Sequence, residues 1–252
     1  MPAEYGRTIS LSSNGFTKTT NQQIKRNITY NMYKLAIFDM DGTILNTIDD
    51  LADCVNVLCR KYGFPEHTVE EVKYMVGNGI PKLMRRALPA DIDEDLFQKL
   101  LAEYIEYYGT HCAIKTAPYA GIVDCIKELR KAGVKVAVNT NKVQPAAEEL
   151  CAQYFPDAFD CISGSRPGIP PKPDPTGLYE ILKELGLSKE EACQPGVACF
   201  IGDSDVDLKT GLDSGLDFIG VDWGFRGKAF LLEHGAKTVV MTPAELAEKI
   251  LC

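Results

Sequence analysis

Hydrophobic positions divide this chain into two textures. The first opens with an unbroken apolar run, Leu35-Ala36-Ile37-Phe38, that ends in Asp39-Met40-Asp41-Gly42-Thr43. A run apolar at every position reads as a strand buried on both faces, as in the middle of a parallel sheet. The spacing then changes. Ile48, Leu51, Ala52, Val55, Leu58, Cys59 and Tyr62 recur at i, i+3, i+4 and i+7, which is one face of a helix. Thr47 with Asp50 reads as a capping box at its start, and Gly63 before Pro65 as its stop. Helical spacing continues over 69–75, 81–88 and 93–108, and no strand pattern interrupts it between about 46 and 115.

The second texture starts at Pro118 and alternates. Ile122, Cys125, Ile126 and Leu129 mark a helix stopped by Gly133, and a β-branched strand over 134–138 runs into Asn139-Thr140-Asn141-Lys142. Pro145 suits the first turn of another helix. A short strand over 159–163 precedes a loop, 164–175, that holds five prolines and Lys172. A helix through Leu178, Ile181, Leu182 and Leu185, strands over 197–201, 218–221 and 239–240, and a final helix capped by Thr242 complete the pattern. Strand–helix alternation predicts an α/β fold with a Rossmann-like parallel sheet core. The expected division is a core over 32–45 and 116–252, with an inserted all-helical cap domain over 46–115.

Composition narrows the function. A 252-residue chain with 45% hydrophobic and 25% charged residues is ordinary for a globular protein. Its net charge of −8 repels a phosphate backbone, which argues against nucleic-acid partners. No apolar run approaches the roughly 18 residues of a membrane span. The nine cysteines are odd in number and form no Cys-x-x-Cys pair, which points to a reducing, cytoplasmic setting rather than a disulfide framework or zinc site. Residues 1–31 form a polar leader expected to be disordered; with Arg7, Lys18, Lys25 and Arg26 against Glu4 it carries +3, leaving −11 on the remainder. Met32, directly before the first strand, is a second candidate start of translation, which the intact mass of the native protein would test.

The candidate chemistry lies at strand ends. Asp39/Asp41, Thr140/Asn141 and Asp203/Asp207 each follow a predicted strand, and Lys172 precedes a helix. A parallel sheet brings its carboxyl ends to one edge, so these groups would meet in one crevice. Two carboxylates two residues apart are costly without a cation between them, and Mg2+ is the first candidate among hard cations.

These segments resemble the motifs of the haloacid dehalogenase-like hydrolase superfamily, in particular its phosphoglycolate phosphatase-like members with a helical cap after the first strand. Asp39-Met40-Asp41-Gly42-Thr43, Thr140-Asn141-Lys142, Lys172-Pro173-Asp174-Pro175 and Gly202-Asp203-Ser204-x-x-Asp207 match them in order and spacing. The resemblance runs from about Tyr33 to the carboxyl terminus; Tyr119-Ala120-Gly121 departs from the usual Tyr-Pro-Gly, which suggests a looser hinge, and Trp223-Gly224-Phe225-Arg226 is similar to a segment common in the subgroup.

The resemblance implies a Mg2+-dependent phosphatase acting on a small phosphorylated metabolite, with 2-phosphoglycolate the leading substrate. Asp39 would be the nucleophile, Asp41 the general acid and base, and Lys172 the cation between nucleophile and phosphate. Asp39, the Asp41 carbonyl and Asp203 would hold the metal, with Asp207 behind them orienting Lys172 or a metal water. Thr140 and backbone amides near Gly42 and Asn141 would bind the phosphoryl oxygens. Asp41 argues for phosphoryl transfer, because the superfamily's dehalogenase branch lacks this acid. The loop Gly77-Asn78-Gly79 would close over the substrate, and Lys82, Arg85 and Arg86 would meet a substrate carboxylate or form a solvated helix face. Tyr107, Tyr108 and His111 read as packing or hinge residues. A sugar-phosphate phosphatase, a β-phosphoglucomutase-like phosphotransferase and a non-catalytic binding module stay open as alternatives.

Overall fold

Residues 32–252 are described by a computed structural model; the leader over 1–31 lies outside the described residues. At the centre lies β1 (Leu35–Phe38), whose four side chains are all fully buried. Ala36 and Phe38 join an apolar cluster on one face with Val136, Val138, Cys199 and Ile201. Leu35 and Ile37 join a cluster on the other with Ala137, Ala198 and Phe200. The period of two along a strand sends neighbours to opposite layers, and both layers are apolar here.

Beyond β1 the chain leaves through β2 (Leu45–Asn46) and returns through β3 (Ala117–Pro118), which pair antiparallel in a two-stranded ribbon. The remaining strands are β4 (Lys135–Val143), β5 (Cys161–Ser165), β6 (Ala198–Gly202), β7 (Asp217–Val221) and β8 (Val239–Val240). The six-stranded sheet has the order β5-β4-β1-β6-β7-β8, and every pairing is parallel. From β1 the chain builds outward to one side through β4 and β5, then crosses back to β6. The crevice beyond β1 is therefore the topological switch point where such sheets bind ligands.

Four helices lie between β2 and β3: α1 (Ile48–Tyr62), α2 (Val69–Met75), α3 (Ile80–Ala87) and α4 (Glu94–His111). They bury their own cluster, which includes Val55, Leu58, Val72, Met84, Leu100 and Tyr104. This is the helical cap. In the rest of the chain follow α5 (Ile122–Lys131), α6 (Gln144–Tyr154), α7 (Thr176–Glu184), α8 (Lys189–Ala192), α9 (Asp205–Ser214), α10 (Gly227–Glu233) and α11 (Pro243–Leu251). Side chains of α5, α6 and α11 pack on one face of the sheet, and those of α7 to α10 on the other.

The strand expected over 159–163 lies two residues later, at 161–165, and three further details differ from the sequence expectation. The Thr47/Asp50 capping box does not form: the Thr47 hydroxyl is buried without a partner, and Asp50 turns inward. The Asp50 carboxylate accepts the backbone N–H groups of Ile114, Lys115 and Thr116 at 3.1, 2.9 and 2.8 Å, and the Thr116 hydroxyl at 2.8 Å. These donors lie some 65 residues away in the chain, so no local pattern signals them, and they satisfy a buried carboxylate better than one cap bond would. Next, β4 does not stop at Val138 but runs to Val143 through an irregularity. Asn139 pairs with Ser163 and Val143 with Ser165, so four steps on β4 match two on β5. Finally, the two-residue strands of the ribbon and the short helices α8 and α10 are too brief to produce a periodic signal.

Candidate active site

Asp39 is the first residue past β1. Its N–H donates to the Ile201 carbonyl at 2.8 Å, which extends the ladder by one bond and fixes the side chain at the sheet edge. Lys172 Nζ stands 2.6 Å from Asp39 Oδ1 and 2.7 Å from Asp207 Oδ1, with all three side chains buried. Lys172 is held from behind by Asn141: Asn141 Oδ1 accepts the Lys172 N–H at 2.8 Å, and Nδ2 donates to the Lys172 carbonyl at 3.1 Å. The same Nδ2 donates to the Gly77 carbonyl in the cap at 3.1 Å. Asn141's side chain thus ties together the lysine loop and the cap loop, and only its backbone is left for a phosphate.

Asp203 follows β6. Its Oδ2 accepts the Phe225 N–H at 2.6 Å and its Oδ1 the Thr43 hydroxyl at 3.3 Å. Two glycines make room for it. A Cβ at Gly42 would lie 2.5 Å from Asp203 Oδ2, and one at Gly224 would lie 2.2 Å from the Asp203 Cβ. Gly42 also sits at φ +89°, a left-handed conformation costly for other residues. Its N–H is spent on the Leu45 carbonyl at 2.9 Å. Gly42 itself closes the turn and admits Asp203, so amides near it, rather than its own, are the ones left open. The neighbouring N–H groups of Met40 and Asp41 have no protein acceptor among the described residues. Thr140 is buried, and its hydroxyl oxygen accepts the Lys142 N–H at 3.2 Å, leaving the hydroxyl proton free to donate.

Burial and charge set the electrostatics. Burial pushes the Asp39 carboxyl well above the usual carboxylate range, Asp207 and Asp203 add to this, and Lys172 opposes it. Burial and Asp207 likewise raise Asp203 to about 7, against the Phe225 N–H. Burial alone would lower Lys172, but Asp207 and Asp39 outweigh it and hold the ammonium above its ordinary value. Oxygen atoms of Asp39, Asp203 and Asp207 lie within 4.8 Å of one another, all on buried residues. The Asp41 carbonyl accepts no hydrogen bond among the described residues. An all-oxygen donor set, over-supplied with negative charge, fits a hard divalent cation.

Asp41 stands apart from that cluster. Its carboxylate pairs with Lys142 Nζ at 2.9 Å, and Lys142 in turn donates to the Tyr108 hydroxyl at 2.8 Å. From sequence alone Lys142 has no assigned role, and Tyr108 reads as a packing or hinge residue. Lys142's place in the Thr140-Asn141-Lys142 segment was the available signal.

In the cap, Gly77 reaches the core through Asn141, while Asn78 Oδ1 accepts from Arg86 at 2.7 Å. Arg86 also donates to the Met75 carbonyl at 2.7 Å, so it shapes the loop ahead of Gly79. Arg85 is taken up by Glu94 at 2.6 Å and by the Phe97 ring 3.3 Å away. No contact brings Arg85 to the carboxylate cluster. Arg226, which the sequence marks only as part of the Trp223-Gly224-Phe225-Arg226 segment, joins core to cap. From the core, it donates to the carbonyls of Lys73, Tyr74 and Val76 at the end of α2 and lies 3.6 Å from Asp205. Beside it, Trp223 Nε1 donates to the Thr43 carbonyl at 3.0 Å.

Comparison with known proteins places this arrangement. The family profile described as haloacid dehalogenase-like hydrolase matches residues 36–221. A phosphoglycolate phosphatase of Pseudomonas putida is 31% identical over 202 residues, covering 77% of this chain and 71% of its own. The crystal structure of a candidate phosphoglycolate phosphatase from Lactobacillus delbrueckii subsp. bulgaricus superposes with a TM-score of 0.82 at 37% identity, over 87% of this chain and 99% of that one. CbbY from Rhodobacter sphaeroides, solved in complex with phosphate, matches with a TM-score of 0.64 at 25% identity, over 85% of this chain and 96% of that one. A buried Asp–Lys–Asp array at the switch point of a parallel sheet, under a helical cap, agrees with these likenesses: the chain belongs to the haloacid dehalogenase-like hydrolase family, in its phosphoglycolate phosphatase-like subgroup, and is a phosphatase.

Proposed function

We propose that this phosphatase hydrolyses a small phosphomonoester, 2-phosphoglycolate first, through an aspartyl-phosphate on Asp39, with Mg2+ as cofactor. The observation that carries the reading is the separation of two carboxylates only two residues apart: Asp39 answers to Lys172, and Asp41 to Lys142. Two carboxylates in different environments can take different roles. The named activity of the Pseudomonas relatives supports the substrate.

Asp39, Asp203 and the Asp41 carbonyl would hold the cation, which when bound neutralises charge on the nucleophile and the phosphoryl oxygens. Asp207 we keep out of the ligand set. One of its oxygens takes Lys172, and the other takes the Ser204 hydroxyl at 2.6 Å and N–H at 3.2 Å, so it anchors the lysine. The Asp39 carboxylate attacks phosphorus, the bond to the leaving oxygen breaks, and Asp41 delivers its proton to that oxygen. Water then attacks the phosphorus, Asp41 takes its proton, and the Asp39–phosphorus bond breaks to free phosphate. Lys172 and the Thr140 hydroxyl balance charge on the phosphoryl oxygens throughout. We assign residues 46–115 as the lid over this chemistry, Gly77 to Gly79 as its substrate loop and Arg86 as the residue that shapes that loop. The unpaired cysteines suit a cytoplasmic enzyme. Among the described residues no helix is long and apolar enough to cross a membrane.

The test is phosphate release from phosphoglycolate, sugar phosphates, nucleotides and pyrophosphate, with and without magnesium. Magnesium-dependent release is expected to be fastest from phosphoglycolate. Isomerisation of a sugar phosphate without release would overturn the hydrolase reading.

A further inference from the structure

Lys142 is a buried cation whose donors are all committed. Its side chain is 4% exposed, and Nζ lies 2.9 and 3.2 Å from the two Asp41 carboxylate oxygens and 2.8 Å from the Tyr108 hydroxyl. The three residues come from different places: Asp41 from the turn after β1, Lys142 from the irregular end of β4, and Tyr108 from α4 in the cap. Stability alone does not call for this triad. Burying the Lys142 ammonium carries a desolvation cost that the Asp41 carboxylate, 24% exposed, escapes in part, and an apolar side chain of equal volume often serves a core as well.

The triad fixes the place of one carboxylate: both Asp41 oxygens lie on Lys142. Lys172 already faces two carboxylates, Asp39 and Asp207, with Asp203 close by. A second cation on the cap side draws Asp41 away from that crowd. Tyr108 in turn has little freedom, because it is buried and stacks on fully buried Tyr104 at 5.6 Å between centroids.

We propose that Lys142 and Tyr108 are positioning residues for Asp41: Lys142 orients its carboxylate toward the leaving group, and Tyr108 sets the direction of Lys142 from the cap. The inference rests on the acid and base role of Asp41 proposed above. It makes the proton donor's alignment depend on a docked cap. An alkoxide leaving group needs the Asp41 proton as its bond to phosphorus breaks, whereas 4-nitrophenolate leaves without one.

The experiment is single-turnover release of the leaving group with enzyme in excess and magnesium present. It compares 4-nitrophenyl phosphate with phosphoglycolate, or with whichever alkyl monoester ranks first in the panel. Lys142→Met is expected to slow the alkyl ester by about 10²-fold and the nitrophenyl ester by roughly tenfold less. Tyr108→Phe, which removes one hydroxyl and keeps the ring, is expected to shift the ratio the same way by about fivefold. Equal slowing of both esters, or no change in either, would overturn the proposal. If Lys142→Met does not fold, the ratio for Tyr108→Phe decides alone. Asp41→Asn separates the two readings. Should it leave the alkyl ester unaffected, the acid role itself fails. Should it split the esters while neither Lys142→Met nor Tyr108→Phe does, only the positioning role fails.

Discussion

Lys172 and Asp39 form an ion pair of 2.6 Å in which neither side chain is more than 10% exposed. The ammonium is shared with Asp207, so it balances two carboxylates at once. Removing it would strand both. Lys172→Met is expected to abolish turnover and to destabilise the metal-free protein by about 3–5 kcal/mol, as the loss of one partner from a buried pair does. Urea unfolding with chelator and with magnesium checks this, since a bound cation should recover part of the loss. A variant as stable as the parent in chelator would show that the pair is not under this strain.

Removing the other partner has a different consequence. Asp39→Asn deletes a carboxylate whose charged form burial disfavours, and Lys172 keeps Asp207. Turnover should vanish while the Tm in chelator at pH 8 stays equal or rises. A marked fall in Tm would mean that the Asp39 charge stabilises the metal-free fold.

Asp203 should make stability depend on pH in a defined direction. Its folded value of about 7 lies above the unfolded value of about 3.9. The folded state then binds the proton more tightly, so this contribution is full below about pH 4 and is lost as pH rises through about 7. In chelator, the Tm advantage of the parent over Asp203→Asn should shrink between pH 5 and 8. Magnesium should raise the parent's Tm more at pH 8 than at pH 5. Parallel Tm curves for the two proteins would contradict the assignment.

The glycines around Asp203 offer a steric test. Gly224→Ala places a methyl group 2.2 Å from the Asp203 Cβ and 2.5 Å from the Gly42 carbonyl, which requires backbone movement. The Phe225 N–H that holds Asp203 moves with it. Magnesium affinity measured by calorimetry should fall by about 10–100-fold, the usual effect of losing a support behind a ligand. Unchanged affinity would show that Asp203 is held by other means.

Arg226 should report on cap docking. Its guanidinium meets carbonyls at the end of α2, where a helix presents partial negative charge. Arg226→Met is expected to speed hydrogen exchange across residues 69–77 and to lower kcat/KM. Exchange identical to the parent's would place the docking elsewhere.

Much of this protein was legible from residue order alone. The buried strand at Leu35–Phe38, the helical block between two α/β segments and the four polar clusters follow from local periodicity and spacing. A parallel sheet must bring its carboxyl ends to one edge, so Asp39, Thr140, Lys172 and Asp203 were expected to converge. What tertiary structure alone decided is which partner each polar group keeps. Asp50 left its cap position for N–H groups at 114–116, and the Gly42 amide went to Leu45. Asn141's side chain went to Lys172 and Gly77, and Lys142 took Asp41 and Tyr108. Apolar burial is non-directional and leaves a periodic trace in sequence. A buried hydrogen bond or ion pair is directional and joins residues far apart in the chain, so its partner is known only once the fold has brought them together.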